Sequence, residues 1–348
     1  MVPLDRLKGK ASDSLYFLRR DGSFVFSEGY CHPEGGLYGK IIYYPHPEGS
    51  IDFFGRRYDC TTKRKENDEI VYVSHPEQIE MHARIDPGLD PRSPRPVFVE
   101  YEMKFPLDDF VGYFDHRHSL LSCLPLFPWV EEGSRAAARV LGIPWERLGI
   151  TGSLAFGRYE EGDDDLDLVI RGNPEENRRA YLKIRQLSQQ PERMVVEFGR
   201  WWPMRFYESE FLICPFFVYA RRESAPLNDF SIRVVRPKMK VEGVVTDDTH
   251  SIYMPPFLGL EEVKVGPARR RRLPLIVYDG ALRGEYFRGD ILKMNARLVR
   301  VIRGGDEFEA ALVTLWDDIV KVGEVKLPAE ETPVGSQDSA ACLARGSR

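Results

Sequence analysis

Hydrophobic and polar positions follow two different periods along this chain, and the period changes twice. Over residues 1–110, aromatic and β-branched clusters such as YFLRRDGSFVF, KIIYYPHPEGSIDFF and EIVYVS are cut by Asp-Gly, Pro and Pro-Glu-Gly. Short strands joined by tight turns carry this pattern. The proline-dense DPGLDPRSPRP, residues 86–96, predicts a loop across that unit. From about residue 115 the period lengthens. PWVEEGSRAAARVLGIP predicts a helix stopped at Gly142, with Pro144 beyond it. RLGIT reads as a short strand, and NPEENRRAYLKIRQLSQQ as a second helix. Asn173 is its N-cap, Pro174 its first helical residue, and Glu176 completes a capping box. Ala180, Ile184 and Leu187 form one apolar stripe at helical spacing. FLICPFFVYA then predicts a buried strand.

From about 230 to 327 the alternation is short again. IRVVRP, KVEGVV, SIYMPP, EEVKV, LPLIVYDG, DILKMNARLVRVI and ALVTLW predict successive strands of a small barrel or sandwich. PAEETPVGSQDSAACLARGSR is polar and low in aromatics, which predicts a disordered tail. The expected architecture is an α/β (α+β) core with a mixed sheet over residues 113–225. A β-rich unit over 1–112 and a barrel-like unit over 226–327 flank it, and the tail covers 328–348.

Composition narrows the classes of function. With 43% hydrophobic and 30% charged residues the chain reads as a folded soluble protein. A net charge of -5 excludes the broad basic balance of a non-specific nucleic-acid binder. The five cysteines (Cys31, Cys60, Cys123, Cys214, Cys342) form no C-x-x-C pair, which predicts free thiols in a reducing compartment instead of disulfides or structural zinc. There is no signal-like N-terminal core and no run of about 18 apolar residues. The expectation is a cytoplasmic protein without a membrane partner.

The chemistry concentrates in TGSLAFGRYEEGDDDLDLVI, residues 151–170, with six carboxylates between Glu160 and Asp167. Gly152 and Gly157 have P-loop spacing, but Arg158 and Tyr159 replace the lysine and the metal-binding hydroxyl. An EF-hand loop starting at Asp163 would place Leu168 where glycine belongs and Pro174 where glutamate belongs. A dinucleotide fingerprint lacks its third glycine. DLDLVI fits a different chemistry. Residues two apart on a strand share a face, about 6–7 Å apart at Cα. Asp165 and Asp167 therefore project together, while Leu166, Leu168 and Ile170 face the core. Paired hard carboxylates suit Mg²⁺ or Mn²⁺. Gly152 permits a tight turn, and Ser153 opens a short helix that can hold phosphate oxygens. The other acids, Glu160, Glu161, Asp163 and Asp164, read as exposed loop.

Gly152-Ser153, eleven intervening residues and Asp165-Leu-Asp167 resemble the signature of the DNA polymerase β-like nucleotidyltransferase superfamily, and Gly157 matches a glycine common in that spacer. The whole chain more loosely resembles archaeal predicted nucleotidyltransferases of unassigned substrate, through DGSFVFSEGYCHPEG and VVTDDTHSIYMPPFLGLEEV. The resemblance implies that the Gly-Ser turn binds NTP phosphates and that Asp165 and Asp167 hold two divalent ions. It also implies a third carboxylate on a neighbouring strand, for which Glu210 is the first candidate and Glu197 the second. Minimal members often carry an arginine after the Gly-Ser, where Leu154, Ala155 and Phe156 stand here; Arg158 can compensate. Where serine commonly precedes the first aspartate, this chain has Asp164.

The expected function is metal-dependent transfer of a nucleoside monophosphate from an NTP to a hydroxyl of RNA, protein or a small molecule. The alternative is a catalytically degenerate fold that binds nucleotide or RNA. Elsewhere, ARRRRLP at 268–274 reads as a solvated basic loop before a nucleic-acid patch. Trp201, Trp202, Phe206 and Tyr207 read as packing. His116 and His118 read as surface or interdomain residues, because the histidines show no metal-ligand spacing.

Overall fold

The structure, a computed structural model, describes residues 1–328 except 8, 67–68, 91, 159–164 and 198–199. It is a strand-rich mixed α/β protein with four α-helices among these residues. The tail and the acids Glu160, Glu161, Asp163 and Asp164 lie outside them.

Contacts divide the chain into two compact units. The first holds residues 1–95, 99–172 and 183–218; the second holds 96–98, 173–182 and 219 onward. In the first unit, an eight-stranded sheet is built from the N-terminal segment, with Phe110–Phe114 lying between Val2–Pro3 and Leu15–Arg19. Its inner face buries Phe17, Val25, Leu37, Ile41, Phe105 and Phe110.

The same unit contains a five-stranded sheet. Its strands are β1 (Leu148–Ile150), β2 (Leu166–Gly172), β3 (Met194–Glu197), β4 (Arg200–Glu208) and β5 (Phe211–Tyr219), in the order β1-β2-β5-β4-β3. Helix α1 (Pro128–Leu141) precedes the sheet and stops at Gly142, whose left-handed backbone (φ 67°) closes the last turn. Helix α2 (Pro174–Ser188) follows β2. Its capping box is complete: Glu176 N–H donates to Asn173 Oδ1 at 2.9 Å, and Asn173 N–H donates to Glu176 Oε2 at 3.1 Å. The stripe of Ala180, Ile184 and Leu187 is buried.

The second unit centres on a closed barrel. Strands β6 (Ser231–His250), β7 (Phe257–Val265), β8 (Ala268–Val277), β9 (Asp290–Arg303) and β10 (Asp306–Val313) form a ring in the order β6-β7-β8-β10-β9, closed by β9 pairing with β6. β8 and β10 run parallel, and the other ring pairs are antiparallel. This is the connectivity of an OB-type Greek-key barrel. The ARRRRLP run is not a loop. It lies in β8, where Arg270 pairs with Glu309 and Arg272 with Glu261, both at 2.6 Å. Acids on adjacent strands hold this charge on the sheet.

Among the described residues, no helix is long and apolar enough to cross a membrane. Cys31, Cys60, Cys123 and Cys214 are free thiols.

Candidate functional site

β1 and β2 run antiparallel, with Ile150 opposite Leu168, so the turn leaving β1 arrives beside the start of β2. Leu166, Leu168 and Ile170 are buried, while Asp165, just ahead of β2, and Asp167 within it are partly exposed. The alternation therefore puts both carboxylates on the face away from that core.

Gly152 has φ 68° and ψ -161°, a combination open to glycine and costly for other residues. Its lack of a side chain has a second consequence. A Cβ there would run into the Asp167 carboxylate, meeting Oδ2 first and Cγ at 2.9 Å. The turn and Asp167 are therefore in close contact, fixed further by Thr151 N–H donating to the Asp167 carbonyl at 3.0 Å. Ser153 begins a short 3₁₀ turn, Ser153–Phe156, closed at Gly157. Arg158 follows it, its N–H donating to the Ser153 carbonyl at 3.1 Å.

The N-terminal sheet anchors this turn. Phe156 packs among Tyr16, Phe24, Tyr43 and Phe114, with ring centroids 4.4–5.8 Å away. The Ser14 carbonyl accepts from Thr151 Oγ1 and lies in hydrogen-bond contact with His116 Nε2, each at 2.8 Å. His116 is thus a structural contact within the first unit. Phe156 is the turn's apolar anchor.

The structure does not bring Glu210 to the aspartates as a ligand. Glu208 pairs with Phe211, which leaves Ser209 and Glu210 as an exposed two-residue hairpin turn. The place beside Asp165 belongs to Cys214 on β5, whose Sγ donates to Asp165 Oδ2 at 2.8 Å. Among the described residues, Asp165, Asp167 and Cys214 are the one group of three whose ligand atoms lie close enough to share an ion, all within 4.8 Å.

Arg205 of β4 completes the cluster. Its Nη2 pairs with Asp165 Oδ2, its Nη1 pairs with Glu197, and its Nε donates to Cys214 Sγ at 2.6 Å. Glu197, the second candidate, therefore reaches the aspartates only through Arg205. Burial pushes the Cys214 thiol well above its ordinary range, and the Asp165 charge adds to this against Arg205. Desolvation opposes the charge on Arg205, but Cys214, Asp165 and Glu197 outweigh it and hold the guanidinium protonated. Arg205 also lies over Trp202, 5.8 Å from the ring centroid. Of the WWPMRFY aromatics, Phe206 is buried and Trp201 Nε1 donates to the Ser188 carbonyl at 3.0 Å, whereas Tyr207 is exposed instead of packed.

A further cation comes from the N-terminal segment. Lys63 lies on the strand Lys63–Glu66 with its ammonium 5.5 Å from the Tyr72 ring centroid. Desolvation by the surrounding protein opposes its charge, yet Tyr72, Asp165 and Asp167 raise its pKa above the ordinary lysine value. Neither Lys63 nor Arg205 has a local sequence signal, because Arg205 contacts Asp165 from another strand and Lys63 acts on the aspartates only through their charge. Cys214 had a weak one: it lies within the strand-forming run FLICPFFVYA beside the buried Ile213.

The donor set fits one hard cation held by Asp165 and Asp167. The third ligand place holds a protonated thiol, and Asp165 already carries a guanidinium. The chain matches no family model, no curated protein and no solved structure.

Proposed function

We propose that this chain is a nucleotidyltransferase that moves a nucleoside monophosphate from an NTP to an acceptor hydroxyl. The observation that carries this reading is the contact of the Gly152 turn with Asp167, beside Asp165. It joins a tight glycine turn to a pair of carboxylates at the start of the neighbouring strand. In this reading the Ser153 hydroxyl and the turn backbone receive phosphate oxygens. Lys63 and Arg158 supply the positive charge that the turn itself lacks. A divalent ion on Asp165 and Asp167 would screen phosphate charge and polarise the reacting phosphoryl group. The acceptor oxygen forms a bond to the α-phosphorus as the bond to pyrophosphate breaks, and the hydroxyl's proton passes to solvent water.

One observation favours a second reading. Cys214 in the third ligand place and Arg205 on Asp165 are what a catalytically degenerate site that only binds nucleotide or RNA would carry. Label transfer separates the two. The full chain is incubated with Mg²⁺ and labelled NTPs, alone and with RNA, protein or small-molecule acceptors, beside the Asp165→Ala, Asp167→Ala double variant. Transfer by the wild type alone supports the enzyme. No transfer, with nucleotide bound independently of metal, supports the degenerate site.

A further inference from the structure

From the Arg205 network we infer that the guanidinium occupies the place of a second cation, so that the site takes a single divalent ion together with its nucleotide. The inference rests on the nucleotide-binding reading above and departs from the two ions that the sequence resemblance implied.

A divalent ion is held by carboxylate lone pairs, and two ions about 3.5–4 Å apart must draw on the same few carboxylate oxygens. Here Arg205 Nη2 and Cys214 Sγ both converge on Oδ2 of Asp165. No described residue donates to its Oδ1, so the two printed contacts fill one side of the carboxylate and a single ion would be held through the other. Arg205 is not a loose surface arginine. Asp165, Glu197 and Cys214 each take one of its three nitrogens, and it is largely buried. A guanidinium has no lone pair to share and cannot be deprotonated in this setting, so it acts as a fixed positive charge. An ion entering the same place would have to break an ion pair and a sulfur contact, and would find a thiol, a soft ligand, in place of a carboxylate.

Counting bound Mn²⁺ tests this. The full chain is saturated with a non-hydrolysable ATP analogue and titrated with Mn²⁺, and free Mn²⁺ is followed by electron paramagnetic resonance. The wild type is expected to bind one ion per nucleotide complex. The Arg205→Met, Cys214→Asp variant, which removes the guanidinium and restores a third carboxylate, is expected to bind two. Arg205→Lys keeps a cation and is expected to stay at one, with an unchanged circular dichroism spectrum. Two ions in the wild type overturn the inference and leave the nucleotide reading intact. One ion in a double variant that keeps wild-type dichroism and nucleotide affinity also overturns it. If the wild type binds neither Mn²⁺ nor the analogue, the nucleotide reading falls and the inference falls with it.

Discussion

Gly152 shows how a single missing side chain sets the geometry of this site. Its backbone lies where glycine alone is unstrained, and its face toward Asp167 leaves no room for a methyl group. Gly152→Ala is expected to cost about 1–3 kcal/mol from the backbone alone. It should also displace Asp167, so urea denaturation will show the loss and nucleotide affinity will fall with it. Glu102 makes a different residue-scale case. It is buried with one carboxylate oxygen unpartnered. Burial, and then the nearby Glu28 charge, push its pKa from 4.5 to about 8. The folded state thus holds this proton more tightly than the unfolded chain. The associated stability is full below about pH 4.5 and is lost as pH rises through about 8. Glu102→Gln should leave the urea midpoint nearly unchanged at pH 4 and raise stability by roughly 2–4 kcal/mol at pH 9.

At the scale of elements, two devices can each be removed by one change: one starts α2, and the other holds the turn beside the aspartates. Helix α2 starts immediately after β2 because Asn173 and Glu176 satisfy each other's backbone N–H groups. Asn173→Ala is expected to cost about 1 kcal/mol in chemical denaturation. The turn of Ser153–Phe156 has no helix of useful length behind it and depends instead on Phe156 inserted among the rings of the N-terminal sheet. Phe156→Ala should cost about 3–5 kcal/mol. Nucleotide affinity should fall in calorimetry even though no residue at the carboxylates has changed. That coupled loss distinguishes an anchor of the turn from an ordinary core residue.

Over the whole molecule, acid is expected to act on both units. His82 in the first unit and His250 in the second are each buried, and burial lowers both to about 4 from 6.5. His82 Nε2 lies 3.1 Å from the Ile41 carbonyl, and His250 Nδ1 lies 2.9 Å from the Tyr219 hydroxyl. Because the folded pKa is the lower one, their contribution is present above about pH 6.5 and is lost as pH falls toward about 4. The loss is at most about 3 kcal/mol for each. Denaturant midpoints measured between pH 7 and 4 should therefore fall, and a His82→Gln variant should show a shallower fall.

What was legible in the sequence was local. The caps of α2, the stop of α1 at Gly142, the alternation around Asp165 and Asp167, and the strand character of FLICPFFVYA depend on neighbours within a few residues, so their pattern is written along the chain. The tertiary structure decided everything that crosses between strands. It placed Cys214 instead of Glu210 beside Asp165, tied Glu197 to the site through Arg205, and brought Lys63 into the field of the aspartates. It also packed the N-terminal sheet around Phe156 and matched the arginines of β8 with acids on neighbouring strands. The physical reason is sheet order: β5 lies next to β2 although more than forty residues separate Asp165 from Cys214. No local period encodes which strand becomes the neighbour.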